Sequence, residues 1–230
     1  MIDLKDIVKI YRTGGEELVA LKKISLHIAE GEFTAIMGPS GSGKSTMMNI
    51  LGLLDRFDSG TYILNNQNVT GLSDNESAHV RNKEIGFVFQ SFNLMPRMTI
   101  LENVELPMVY AGIPAKERRE RALKALDRVG LSDRVKHRPN EISGGQKQRV
   151  AIARAIVNSP AVLMADEPTG NLDSKTTLEI MRIFQELNDE GTTIVMVTHE
   201  PEVAEYTKRI VSFRDGEIMD DQLQLNQKLV

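Results

Sequence analysis

The chain has 230 residues, 41% hydrophobic and 26% charged, with 28 basic against 32 acidic side chains and a formal net charge of −4. That balance suits a soluble globular protein with a sizeable core, and it argues against a broad nucleic-acid footprint, which draws on a surplus of cations. With no cysteine present, disulfides, thiolate catalysis and zinc–thiolate centres are excluded.

The N-terminal stretch MIDLKDIVKIY alternates charged and apolar residues and lacks the continuous apolar region of a signal peptide. No run approaches the ~18 apolar residues that span a bilayer, so any membrane role is expected to come through a partner. Residues 2–37 are predicted to form strands: IDLKDIVKIY and ALKKISLHI alternate, and EFTAIM is more continuously apolar. KSTMMNILGLL is predicted as a helix, TYIL as a short strand, DNESAHVRN as a helix with Asp74 near its cap, and IGFVF as a buried strand. From Ser91 the character changes. FNLMPRMTILENVELPMVYAGI is apolar with prolines, and PAKERRERALKALDRVGL is a charged helix with Ala122, Leu123, Leu126 and Val129 on one face. Strand–helix alternation returns with AVLMA, a helix near 175–189, TTIVMVT, a short helix after Pro201, RIVSF and GEIM. The expected fold class is α/β: a mainly parallel core with an N-terminal antiparallel β subdomain over 1–90 and 159–230, interrupted by a helical subdomain over 91–158.

The segment GPSGSGKST supplies Gly38, Pro39, Ser40, Gly41, Ser42, Gly43, Lys44, Ser45 and Thr46. Its Gly38, Gly43, Lys44 and Ser45 fit a phosphate-binding loop, and it lies between a strand and an apolar helix, the context that motif requires. Glycines let successive N–H groups turn onto a β-phosphate, where the helix N-terminus adds positive field. Lys44 would bridge β- and γ-oxygens while the Ser45 hydroxyl ligates Mg²⁺.

In AVLMADEP, an apolar strand delivers Asp166 to its C-terminal end, where it can hold Mg²⁺ through water. Glu167 follows as a general base for the attacking water. Adjacent acids after a strand are often mere helix-capping charge; the upstream loop favours the metal reading. Gln90 and His199 close two other strands. Such residues are more often plain surface polar groups, but these two sit on the edge where open α/β sheets bind ligands. Gln90 could reach Mg²⁺ and water, and His199 the γ-phosphate and Glu167. Tyr11 could stack on adenine, with an ordinary packed tyrosine an equal alternative.

A second helix-opening turn, ISGGQ, comprises Ile142, Ser143, Gly144, Gly145 and Gln146. Alone it reads equally well as a capped helix start. Because it belongs to the helical insertion, away from the first loop, it gains a use if it faces the nucleotide of another subunit.

Taken in order, these segments resemble the ATP-binding-cassette ATPases over nearly the whole chain. GPSGSGKST resembles the Walker A loop, Gln90 the Q-loop, ISGGQ the signature, VLMADEP the Walker B strand, NLD at 171–173 the D-loop, and His199 the switch histidine; Tyr11 falls at the adenine-stacking position. Ile142 replaces the commoner leucine and Asn171 a commoner small residue. TGNLDS and IGFVFQSFNLMPRMTILENVELPM resemble the lipoprotein-release and macrolide-export branch, with the cell-division type of the same branch as the alternative.

The resemblance implies an ATPase using ATP and Mg²⁺, working as a head-to-tail homodimer. Ser143, Gly144, Gly145 and Gln146 of one copy would cap the other's ATP, with Asp173 across the dimer axis. It further implies an integral membrane permease partner at the cytoplasmic face of the membrane, docking near Phe92, Leu94, Met95, Met98 and Ile100, and no nucleic-acid partner. The interval between Lys44 and Ser143 holds no sustained heptads, unlike the coiled-coil insertions of DNA-maintenance cassettes.

Overall fold

The computed structural model describes residues Met1–Val230, the side chain of Thr13 excepted. In chain order the elements are β1 (Ile2–Thr13), β2 (Glu16–Ile28), β3 (Phe33–Met37), α1 (Lys44–Leu51), β4 (Ser59–Leu64), β5 (Gln67–Asn68), α2 (Asp74–Glu84) and β6 (Ile85–Phe89). The helices α3 (Ile100–Tyr110), α4 (Ala115–Arg128) and α5 (Gly144–Ile156) follow. Then come β7 (Val162–Asp166), α6 (Ser174–Asp189), β8 (Thr193–Val197), α7 (Pro201–Ala204), β9 (Arg209–Arg214) and β10 (Glu217–Leu223).

Two sheets result. An antiparallel sheet runs β2-β1-β4-β5, and a six-stranded sheet runs β10-β9-β3-β8-β7-β6. In the latter only β10 is antiparallel to its neighbour; the other pairings are parallel. The fold is therefore a mainly parallel α/β core with an antiparallel sheet near its N-terminus and helices inserted between β6 and β7.

Strand periodicity explains how one sheet serves two cores. On β7, Val162 and Met164 face one cluster while Leu163 and Ala165 face the other; on β8, Val195 and Val197 oppose Ile194 and Met196 in the same way. Each fully buried aliphatic side chain contributes ~1.5–3 kcal/mol, and a parallel sheet covered on both faces needs apolar residues at every position. The cluster of Leu163 and Ala165 joins the sheet to α3, α4, α5 and α6, and the cluster of Val162 and Met164 joins it to α1 and the antiparallel sheet.

The boundaries differ from expectation in a few places. Asp74 lies beside the cap of α2 as expected, and the cap itself is Ser73, its hydroxyl accepting from the Glu76 N–H while Glu76 accepts from the Ser73 N–H. On α4 the buried face is Ala122, Ala125 and Leu126, followed by Val129 beyond the helix end, whereas Leu123 is exposed. The 3.6-residue period carries position 125 inward beside 122 and 126 and turns 123 out. Strand β10 continues past GEIM to Leu223, held by its antiparallel register on β9.

The irregular segment between β6 and α3 is stitched by buried polar groups. The Asn103 side chain, fully buried, accepts from the Met95 N–H at 2.7 Å and donates to the carbonyls of Met95, Met98 and Thr99. Arg154 on α5 donates to the carbonyls of Phe92 and Asn93 at 2.9 and 2.6 Å. Both of those residues are left-handed, with φ of 60° and 48°. That conformation costs a β-region residue such as phenylalanine ~1–2 kcal/mol, so the bonds from Arg154 help to hold it.

Candidate functional site

The first loop lies between β3 and α1, folded against β9. A Cβ on Gly38 would lie 2.2 Å from the Phe213 carbonyl oxygen, so no other residue permits that approach. Gly43 caps α1 with φ 101° and no side-chain hydrogen bond, and no acidic residue stands in the first turn. The leading N–H groups of α1 are thus not claimed by a capping side chain, which is the condition for holding an anion there. The Lys44 ammonium is buried beneath the loop and donates to the carbonyls of Gly38 at 2.7 Å and Pro39 at 2.8 Å. The Ser42 hydroxyl oxygen is buried without a hydrogen-bond partner.

A cleft of about 880 Å³ opens beside this loop, and Lys44, Ser45, Glu167 and His199 all line it. The structure thus brings together side chains from α1, from the end of β7 and from the end of β8. Asp166 is the last residue of β7, in register with Phe89 on β6 and Val197 on β8. Burial pushes its carboxyl above the ordinary carboxylate range, the neighbouring Glu167 charge pushes the same way, and Lys44 opposes them.

At Glu167 the chain leaves the strand in a left-handed conformation, φ 43°, with its N–H donating to the Val197 carbonyl at 2.9 Å. Strain of this kind concentrates at working sites. The imidazole Nδ1 of His199 lies 2.8 Å from Glu167 Oε1. His199 is well exposed and Glu167 only a quarter so.

Ser45, Asp166 and Gln90 offer a hydroxyl, a carboxylate and an amide oxygen. That all-oxygen set fits Mg²⁺, which keeps waters and phosphate oxygens for its remaining positions. Among the described residues no group of three or more His, Cys, Asp or Glu could cage a metal. Asp166, burdened by burial and by a like charge, is the group a cation would relieve. Gln90 follows the end of β6 and packs against the backbone of Gly170 just beyond the Glu167 turn, so close that a Cβ there would lie 2.7 Å from its Nε2. It does not line the cleft that holds Lys44.

A second cavity, about 570 Å³, adjoins the loop on its other side. Tyr11 of β1 lines it together with Gly41, Gly43, Lys44, Ser45 and Thr46.

The second glycine turn is elsewhere. Ser143 caps α5, its Oγ accepting from the Gln146 N–H and its own N–H donating to Gln146 Oε1. Ser143 is exposed, while Gly144, Gly145 and Gln146 are half-buried. Gly145 packs on Thr176 and Gly144 near Leu172 and Phe92, and none of the four lines either cavity at the first loop. Asp173 caps α6 close by, accepting from the N–H and hydroxyl of Thr176, bonds that hold its carboxyl below the ordinary range.

Sequence patterns missed Gln148 altogether and, at Asn171, the bond that positions Gln90. Gln148 on α5 donates to the Pro168 carbonyl at 2.7 Å, tying the second turn's helix to the Glu167 turn. Asn171 donates to the Gln90 carbonyl. No local signal announces either bond, because each spans 20 or more residues. A separate groove of about 610 Å³, between α2, β6, α3 and α5, is lined by Leu54, His79, Pro107, Tyr110 and Arg154 among others. Of the apolar residues near the start of the insertion, Ile100 is core, Leu94 packs on the core, and Met95 is 46% exposed.

Comparison with known proteins places this arrangement among relatives. A family model described as ABC transporter matches residues 21–170. The uncharacterized ABC transporter ATP-binding protein YknY of Bacillus subtilis is 60% identical, the match covering 95% of each chain. The macrolide export ATP-binding/permease protein MacB of Bdellovibrio bacteriovorus is 53% identical over 96% of this chain but only 34% of its own length. Among solved structures, the dimeric post-hydrolysis state of the ATP-binding cassette MJ0796 bound to ADP and Pi superposes with a TM-score of 0.90 at 47% identity, covering 97% of this chain and 99% of that one.

Proposed function

The chain is an ATP-binding and ATP-hydrolysing cassette of the ABC transporter family, and from that premise we propose that it works as a homodimer whose two copies close on two Mg·ATP and drive a membrane permease of the macrolide-export or lipoprotein-release type. The observation that carries this reading is the separation of the two glycine turns. The turn at Ser143 is exposed and outside the cleft holding Lys44, Glu167 and His199. A capped helix start in that position serves a second molecule better than its own.

In this mechanism the loop N–H groups and Lys44 grip the β- and γ-phosphates, exchanging the lysine's bonds to Gly38 and Pro39 for phosphate oxygens. Tyr11 stacks on the adenine. Ser45, Asp166 and Gln90 would hold Mg²⁺, which would supply charge neutralisation on the phosphates. The Glu167 carboxylate takes a proton from the water that attacks the γ-phosphorus, while His199 holds that carboxylate through Nδ1. Ser143, Gly144, Gly145 and Gln146 of the other copy close over the γ-phosphate, and Asp173 sits at the junction. Cleavage to ADP and phosphate removes the shared γ-phosphate contacts, and the copies part.

In this reading the permease would dock at the groove beside Pro107 and Tyr110, next to the segment following Gln90, at the cytoplasmic face of the membrane. Among the described residues no helix is long and apolar enough to cross a membrane. The resemblance to MacB supports the choice of branch.

Glu167→Gln tests the reading. The variant should bind ATP, hydrolyse it at least ~100-fold more slowly, and elute as a dimer from a sizing column only with Mg·ATP. A variant that turns over at the parental rate, or stays monomeric with ATP, defeats it.

A further inference from the structure

We propose that Asp55 and Lys9 are positioning residues that set the pose of the Tyr11 ring and through it the affinity for the nucleobase. This rests on the reading that Tyr11 stacks on adenine and deepens it.

The Tyr11 hydroxyl donates to Asp55 Oδ2 at 3.0 Å, fixing the far end of the ring. The other carboxylate oxygen of Asp55 accepts from the Lys9 ammonium at 2.8 Å and from the Arg56 N–H at 2.7 Å. Lys9, only 9% exposed, also donates to the Arg56 carbonyl at 2.6 Å and places its ammonium over the Tyr11 ring, 4.8 Å from the centroid. Asp55 and Lys9 therefore clamp the tyrosine at its tip and on one face.

Lys9 is not among the groups lining the cavity beside Tyr11, whereas Gly41, Lys44 and Thr46 are. In this proposal the face it covers is the rear of the ring, and the cavity side is left to a flat ligand. The ammonium draws the ring's π density rearward, which lowers the repulsion that a purine meets at the front. Asp55 arrives from just after α1, the helix the phosphate loop opens, so the same helix that anchors phosphate also holds the base platform at a set distance. An ordinary packed tyrosine needs none of this: its hydroxyl could reach solvent, and a nearly buried lysine is uncommon unless paired.

The test compares Asp55→Asn, Tyr11→Phe and Tyr11→Ala in equilibrium competition against a fluorescent ATP analogue, with Mg·ATP and Mg·tripolyphosphate as competitors. Asp55→Asn and Tyr11→Phe should each weaken ATP about fivefold to tenfold, the scale of one ordinary intramolecular hydrogen bond. Tripolyphosphate should hold within about twofold in both, since the phosphate loop loses at most the long contact, 3.5 Å, between the Tyr11 hydroxyl and Thr46 Oγ1. Equal weakening of ATP and tripolyphosphate by Asp55→Asn, or no weakening of either, overturns the proposal. If Tyr11→Ala leaves ATP binding unchanged, the stacking reading itself fails. If Tyr11→Ala weakens ATP while Asp55→Asn and Tyr11→Phe do not, stacking survives and the clamp alone is refuted.

Discussion

Asp166 illustrates how a single residue trades stability for chemistry. Its carboxyl is raised by burial first and by the Glu167 charge second. In the unfolded chain the group ionises at its ordinary value, so between the two values the folded form keeps a proton the unfolded form has lost. Stability therefore falls as pH climbs through the carboxylate range, and at neutral pH the ionised Asp166 is a burden. Asp166→Asn should raise the melting temperature of the nucleotide-free protein at pH 7 by a few degrees, an increment of ~1 kcal/mol. The gain should vanish near pH 4, while Mg²⁺-dependent hydrolysis is lost. Thermal melts at both pH values check the sign. The principal candidates at this scale were legible in sequence, because Lys44, Ser45, Asp166 and Glu167 are tied to patterns whose chemistry demands those residue types at those spacings. Asp55, Asn103 and Gln148 were not: each acts through a bond to a distant segment, and nothing local distinguishes it from an ordinary polar residue.

Among the elements, α5 and α6 meet at their N-termini with almost no space between them. A Cβ on Gly145 would stand 2.4 Å from Thr176 Cγ2 but 3.6 Å from Thr176 Oγ1. The Thr176 side chain cannot swing away freely, since Oγ1 donates to Asp173 Oδ2 at 2.7 Å. Gly145→Ala should therefore cost ~1–2 kcal/mol despite alanine's better helix propensity. In a Thr176→Ser background, which removes Cγ2 and keeps Oγ1, the same substitution should be nearly neutral. Denaturant unfolding of the four proteins should give a coupling of at least ~1 kcal/mol; additive effects would mean the contact is relieved elsewhere. Elements of this length were readable from periodicity, including α6 and the strands of the parallel sheet. The pairing was less so. The order β2-β1-β4-β5 and the two-residue β5 depend on which edges meet after collapse, and Pro107 inside α3 contradicts the local rule that proline ends helices. Leu123 was misplaced for a simpler reason: it is apolar, but at about 100° per residue it stands roughly 100° round the helix from Ala122, on the side away from Ala125.

For the whole molecule, the exposed start of α5 is the surface on which the proposed homodimer depends. Ser143→Arg should leave ATP binding by the isolated chain within about twofold and reduce turnover by at least ~100-fold, because a large cation there obstructs closure of the partner's site without touching its own. Titration with a fluorescent nucleotide, alongside phosphate release, separates the two effects; a collapse of monomer binding would place the turn over its own nucleotide. The general architecture was apparent from alternating strands and helices with an insertion. How the two sheets are joined was not, and the joint lies at an unexpected place. The Gly216 N–H donates to the Ser42 carbonyl in the phosphate loop, its carbonyl accepts from the Lys22 N–H of β2, and a Cβ on Gly43 would lie 2.8 Å from the Ala20 carbonyl. One glycine near the C-terminus thus rivets the loop to the antiparallel sheet. Peeling β2 outward must therefore loosen the grip on phosphate, so that whatever seizes the loop also fastens the chain's beginning to its end, and binding energy gathered at one crevice is spread as cohesion over both halves of the protein.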